Sequence, residues 1–333
     1  MSNNADLIYY CDSYPAVGNG HLKRGLDIIK QLLKMNSQIK ISITGHFSDS
    51  AWQFLNQFKP EAVDVFRDEL PPNEFKLGFL DTIKPGDAST IPAEKGRKLK
   101  NICSRLITIN TGISTFIPDF VDGIINYIPV TKYTGNTEVN KYFGVKYAPV
   151  GPEFVPPEPV FNKHILCIVG GNKNQYGPKI LASTLAANLQ NNYQIDMILS
   201  PHFPAQDKKF LQAKFPTINF HQNLETVVDL MRNSQCVVTT YGNATWEALT
   251  MHKPVFIVSY LDFQKYFANY LEEQGYAVDL GFFKTLENEE LALLTNEKLQ
   301  KKQIKRIQQV FKTPGIVNIA KIILKELNVS QKR

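Results

Sequence analysis

Cysteine is scarce in this chain and never paired. Cys11, Cys103, Cys167 and Cys236 lie far apart, and no C-x-x-C occurs. That spacing excludes a zinc knuckle and a disulfide framework, and points to buried free thiols in a reducing, cytoplasmic setting. Long apolar runs are also missing, so no segment is expected to span a bilayer. The opening "MSNNADLIYY" has neither a positive n-region nor an apolar core, so no signal peptide is expected. No D-x-D occurs anywhere, which removes the usual carboxylate pair for a cation on a diphosphate. Blocks of one charge are few. Lys and Arg number 37 against 31 Asp and Glu, a net +6 spread along the chain. The one basic run, "KKQIKR" at 301–306, reads as a solvated helix face, so no nucleic-acid partner is expected. A mildly basic surface still suits an anionic substrate or peripheral contact with an acidic membrane.

What is present is an ordinary soluble core: 333 residues, 43% hydrophobic and 20% charged, enough for two α/β domains. Strand and helix patterns alternate. "LIYYCD" (7–12) reads as a short strand. Residues 21–34 place Leu22, Leu26, Ile29 and Leu33 on one helical face, and "IKISITG" (39–45) alternates with period two. Further strands are expected at 62–67, 76–81, 105–110, 123–128 and 146–150. The series predicts a parallel sheet flanked by helices, a domain over 1–150. In 151–164, five of fourteen residues are Pro or Gly, so this stretch reads as a connector. A second α/β series fills 165–333, with strands at 165–171, 193–201, 236–242 and 254–260 and helices at 243–252 and 263–275. Two such halves are expected to hold a ligand in a cleft at the carboxyl ends of their strands.

"VGNGHLKR" (17–24) stands at the mouth of the first helix. A dinucleotide loop would need a third glycine where Lys23 stands, and an acid at the tip of the second strand, where "SITGH" has none. The other reading uses the histidine. Gly18 and Gly20 allow a tight turn and close backbone approach to a ligand. His21, at the helix N-terminus, is favoured as neutral imidazole and can take a proton from a hydroxyl. Asp12, at the end of the first strand, is the expected partner that orients it. On these residues alone, a helix cap and a strand-end acid remain equally open.

In the second half, Gly170, Gly171 and Asn172 follow a strand and offer backbone to a phosphate. Gly242, Asn243 and Thr245 open a helix whose free N–H groups suit a diphosphate. Glu247, just inside that helix, could accept two hydrogen bonds from ribose hydroxyls. Gln264 and Asn269 offer amides to sugar hydroxyls. Arg24 or Lys23 could assist a departing diphosphate. His46 and Asp81 end strands of the first domain and are further candidates for its ligand side.

Together these motifs resemble known enzymes. "CDSYPAVGNGHLKRGLDI" (11–28) resembles the bacterial UDP-sugar hydrolase of pseudaminic acid synthesis, which has D-S and then G-x-G-H-x-x-R. "YAPVGPEF" (147–154), "VGG", "TWEAL" and the region of Gln264 also correspond. The C-terminal half is similar to the family 28 glycosyltransferases, including the enzyme that completes lipid II. The resemblance implies a GT-B fold: two Rossmann-like domains with parallel sheets facing across a cleft. It further implies UDP held by the second domain, ribose on Glu247, and a last helix (about 314–328) packed back on the first. Phe263, "LDTIKPG" (80–86) and "INTG" (109–112) depart from the hydrolase pattern.

The resulting expectation is a metal-independent, inverting, UDP-sugar-dependent glycosyltransferase without cofactor, passing a sugar to a sugar or lipid-linked acceptor. His21 would be the base. Two alternatives stay open: a hydrolase like that for UDP-2,4-diacetamido-2,4,6-trideoxy-altropyranose, which passes the sugar to water, and a non-catalytic sugar-nucleotide-binding protein.

Overall fold

The structure is a computed structural model that describes residues 5–14, 20–82, 91–110, 115–128, 132–169, 176–189, 192–200, 203–224 and 226–330. The chain divides into two compact units, Met1–Pro152 with Thr313–Arg333, and Glu153–Lys312. From Glu153 onward the Pro-rich stretch therefore clusters with the second unit.

The first unit runs β1 (Ala5–Cys11), α1 (Gly20–Met35), β2 (Ile41–Gly45), α2 (Asp49–Phe58), β3 (Val63–Arg67), β4 (Phe75–Asp81), α3 (Ala93–Lys100), β5 (Cys103–Asn110), β6 (Phe116–Ile117), β7 (Gly123–Asn126), β8 (Thr134–Gly135) and β9 (Asn140–Phe143). Seven of these strands form one parallel sheet in the order β3-β2-β1-β4-β5-β7-β9. β1 and β4 are neighbours, with Tyr9 opposite Phe79 and Cys11 opposite Asp81. Every residue of β2 is buried, Ser42 and Thr44 included. The period-two pattern there marks a central strand covered on both faces, as parallel sheets require.

Residues 146–150, expected as a strand, instead form a 3₁₀ turn at Val145–Tyr147. Gly144 at φ 119° turns the chain out of the edge strand, and the Tyr147 N–H closes the turn on the Gly144 carbonyl at 3.1 Å.

The second unit runs β10 (His164–Ile168), α4 (Tyr176–Leu189), β11 (Gln194–Ile198), α5 (Ala205–Lys214), β12 (Ile218–His221), α6 (Val228–Asn233), β13 (Cys236–Thr239), α7 (Asn243–Thr250), β14 (Val255–Ser259), α8 (Asp262–Glu273), β15 (Ala277–Phe282), α9 (Asn288–Ala292) and α10 (Glu297–Gln308). Its sheet is also parallel, ordered β12-β11-β10-β13-β14-β15. Its core is built from apolar side chains of the strands, Phe220 and Phe256 among them, with Leu181, Leu185 and Leu211 of the covering helices. The four cysteines are buried free thiols. No described helix is long and apolar enough to cross a membrane.

The last helix, α11 (Gly315–Ser330), belongs to the first unit and packs on α1. It starts at a glycine because any Cβ there would lie 1.7 Å from the Ala148 carbonyl oxygen. Near its far end, Glu326 is wholly buried. Arg105 of β5 donates to its Oε2 from Nε at 3.0 Å and from Nη2 at 2.6 Å, while Asn140 and Tyr142 of the β9 edge donate to Oε1 at 2.7 and 2.5 Å. Removing one member of a buried ion pair leaves the other charge desolvated. Glu326→Ala should therefore cost about 3–5 kcal/mol in urea unfolding, and much of it should return when Arg105→Met is added.

Candidate active site

His21 is the second residue of α1, with no acid in the first turn of that helix. The helix forms because Leu22, Leu26, Ile29 and Leu32 bury one face against the sheet. That same face carries His21 inward, where it is 7% exposed. Its partner is not Asp12. His21 Nδ1 lies 2.7 Å from Oδ1 of Asp81, the last residue of β4.

Asp81 has no solvent exposure and collects three donors besides the imidazole. Arg24 Nε donates to Oδ2 at 2.8 Å, Arg24 Nη2 donates to Oδ1, and Tyr9 Oη donates to Oδ2 at 2.6 Å. Burial alone would push the Asp81 carboxyl up. The Arg24 guanidinium, and then His21, outweigh that and hold it well below the usual carboxylate range. Arg24 is in turn held charged by Asp81 against its own burial. Burial and the neighbouring carboxylate raise Tyr9, so its hydroxyl stays a donor.

Arg24 Nη2 also lies 2.7 Å from His21 Nδ1. One nitrogen cannot both accept from Arg24 and donate to Asp81. An ionised carboxylate is the stronger acceptor, so Nδ1 carries the proton and both groups donate to Asp81. The lone pair is then on His21 Nε2. A helix start that holds a histidine in this tautomer can accept a proton from a hydroxyl.

Tyr9 reaches Asp81 only because Gly25 faces it. A Cβ on Gly25 would sit 2.7 Å from the Tyr9 ring, which also stacks on Phe79 at 4.9 Å.

The remaining candidates are distributed as follows. Asp12 is fully buried, but it accepts from the His46 N–H at 3.0 Å, from Lys95 Nζ at 2.6 Å and from the Thr82 hydroxyl. It ties the ends of β1 and β2 to α3. Arg24 is committed to Asp81, which removes it from the groups free to meet a diphosphate. Gly20 opens α1 with no atom within 4 Å of a built Cβ. Gly18, Gly170, Gly171 and Asn172 lie outside the described residues.

In the second unit, Gly242 precedes α7, and Asn243 is its exposed first residue. The Thr245 hydroxyl is turned inward: it donates to the Thr240 carbonyl at 3.2 Å and accepts from the Gly242 N–H at 3.3 Å. It shapes the loop that leads into α7. Glu247 is the fifth residue of α7, half-buried, so it stands beyond the first turn rather than within it. Gln264 is buried and its Oε1 accepts from the Tyr260 and Leu261 N–H groups at 2.9 and 3.4 Å. It caps α8. Asn269, exposed five residues later, points from a different face, so the two amides do not act together. Among the described residues, no group of three or more His, Cys, Asp or Glu is placed to hold a metal ion.

The Asp81 cluster was reachable from sequence only as a strand-end acid. Tyr9 gave no signal, since a tyrosine in an apolar strand reads as core. Because Asp81 is ionised far below the pKa of about 4 of an unfolded aspartate, its contribution to stability is complete above that value. It is lost as pH falls from about 4 toward the depressed folded pKa. The stability difference between wild type and Asp81→Asn, from urea titrations, should therefore be larger at about pH 5 than at about pH 3.

No family model matches the chain. An uncharacterised protein of Methanocaldococcus jannaschii is 22% identical over 278 residues, covering 76% of this chain; the match spans 55% of that relative's length. Solved structures match more completely. CalG4, the calicheamicin glycosyltransferase, superposes with a TM-score of 0.65 at 13% identity, covering 97% of this chain and 98% of its own. MurG of Acinetobacter baumannii gives 0.62 at 14%, covering 96% and 99%. Phytolacca americana UGT2, solved with UDP-2fluoro-glucose and pterostilbene, gives 0.58 at 10%, covering 97% and 100%. The chain therefore has the GT-B fold of these glycosyltransferases.

Proposed function

We propose that the protein is an inverting glycosyltransferase that uses a UDP-sugar without a metal and passes the sugar to an acceptor hydroxyl. The observation that carries this reading is the His21–Asp81 contact at the start of α1. His21 Nε2 takes the acceptor proton as the hydroxyl oxygen bonds to the anomeric carbon. The bond from that carbon to the diphosphate breaks, and UDP leaves with the electron pair. Attack opposite the leaving group inverts the anomeric centre. Asp81 holds the ring in place and offsets the charge that develops on it, the role of the acid in a base–acid pair. The α7 N-terminus supplies fixed N–H dipoles for the diphosphate, and Glu247 takes the ribose hydroxyls. The GT-B fold supports the assignment of donor binding to the second unit.

The test is UDP release from a panel of UDP-sugars, with and without acceptors. Release that requires an acceptor, survives EDTA and disappears in His21→Ala supports transfer. Release into water alone would make the protein a hydrolase, and binding without release a non-catalytic receptor. UDP affinity in His21→Ala should stay within a few fold, because the base acts on the transition state.

Glu247→Ala should weaken UDP binding about ten- to a hundredfold in titration calorimetry, for loss of about 1.5–3 kcal/mol of charge-assisted hydrogen bonds.

A further inference from the structure

We infer that a cavity in the first unit, lined by groups other than His21 and Asp81, is a sugar pocket, in which His46, held by Asp68, accepts a hydrogen bond from a ligand hydroxyl, and which excludes sugars bearing an acid group. The cavity measures 540 Å³ and is lined by Tyr10, His46, Asp68 and Glu69 from the strand ends and by Lys95 and Lys98 of α3. That volume suits a small ligand, for which about 300–1,000 Å³ is usual.

His46 is built into place. Its N–H donates to Asp12 Oδ1 at 3.0 Å, and its carbonyl accepts from the Ser13 N–H at 2.9 Å. Tyr14 packs edge-on against the ring, 4.8 Å between centroids. Nδ1 is in hydrogen-bond contact with Asp68 Oδ1, yet the side chain is 56% exposed. As at His21, a carboxylate on Nδ1 fixes the proton there and leaves Nε2 as an acceptor. Asp68 holds this position at φ 61°, a left-handed backbone that a non-glycine residue adopts at a cost. Its N–H is tied to the Gly45 carbonyl at 3.0 Å, and Arg67 Nε stands 3.6 Å from its second oxygen. A strained, exposed acid–histidine pair at a cavity has the form of a functional element, because nothing in the packing of the core requires it.

The charges decide the ligand class. Lys95 Nζ is 2.6 Å from the buried Asp12, and Lys98 Nζ is 2.8 Å from Glu94. Arg67, beside Asp68, also pairs with Asp49 at 2.6 Å, so Lys95, Lys98 and Arg67 face the carboxylates of Asp12, Glu94, Asp49, Asp68 and Glu69, and the cavity is left net negative. A carboxylate or phosphate on the sugar would meet like charge, whereas neutral hydroxyls or an ammonium group would not. Calling this ligand the acceptor rests on the transfer reading above; its binding does not.

The test is saturation-transfer NMR on the full chain with methyl glycosides of glucose, glucosamine and glucuronic acid. The first two should bind, and the glucuronide at least about tenfold more weakly. His46→Ala and Asp68→Gly should weaken the glucoside about three- to tenfold, the loss of one hydrogen bond. His46→Gln gives a second variant of near-native size, and Glu69→Gln should improve the glucuronide. A glucuronide that binds as well as the glucoside, a His46→Ala variant that binds like wild type, or no glycoside binding at all overturns the inference. UDP release, measured on the same variants, separates the two readings. Glycosides that bind through His46 without any turnover refute transfer and leave the pocket standing. Turnover with glycoside binding indifferent to His46 does the reverse.

Discussion

A buried carboxylate cannot remain ionised without partners, and Asp81 imposes that condition on the whole sheet edge around it. With no solvent exposure, its charge survives because Arg24, His21 and Tyr9 surround it. Two of those partners are three residues apart on α1, so the ion pair sets the rotation of the helix about its axis. The third comes from the adjacent strand and passes under the helix only at Gly25. The orientation of the imidazole is therefore a consequence of neutralising one acid, and the proton-accepting nitrogen is the one that this neutralisation leaves over.

The same physics recurs at Asp12, just beyond the end of the neighbouring strand. Its cation is Lys95, its further donors are Thr82, the Tyr10 hydroxyl at 3.3 Å and the His46 backbone, and the effect is to draw α3 and the β2 end onto β1. Two adjacent strand ends thus carry two buried acids with separate tasks, one orienting His21 and one assembling the walls of a cavity. Parallel strands make this possible, because all their carboxyl ends, and the loops that follow, lie on one edge.

Two further carboxylates hold the scaffold. Glu326 joins the returning helix to β5 and β9. In the second unit, Asp196 lies 2.5 Å from both His164 and His221, spanning three strands. Burial would raise Asp196, and the two imidazoles bring it down, well below the ordinary range. Each of these acids connects elements distant in the chain. That makes them sensitive points: deleting one partner leaves a charge without water or counter-ion.

Hydrophobic periodicity and the Pro-rich break were enough to read two α/β series, their principal strands and the helix that carries His21, since each is a local pattern within a few turns of chain. The α7 start was legible for the same reason. What escaped was every pairing across the sheet. Asp12 stands close to His21 in sequence, whereas Asp81 is 60 residues away and becomes its neighbour only because β4 inserts beside β1. Crossover connections separate adjacent parallel strands by whole helices, so local pattern cannot announce that adjacency. Side-chain use was hidden likewise. Gln264 and Thr245 look like ligand groups in a motif, but the backbone N–H and carbonyl groups beside them take up their hydrogen bonds first. Residue types and their order determined which elements form and which side chains are candidates for a site. The strand order and the burial of three acids in the first unit decided which of those side chains stand together, because a buried acid stays ionised only beside its donors.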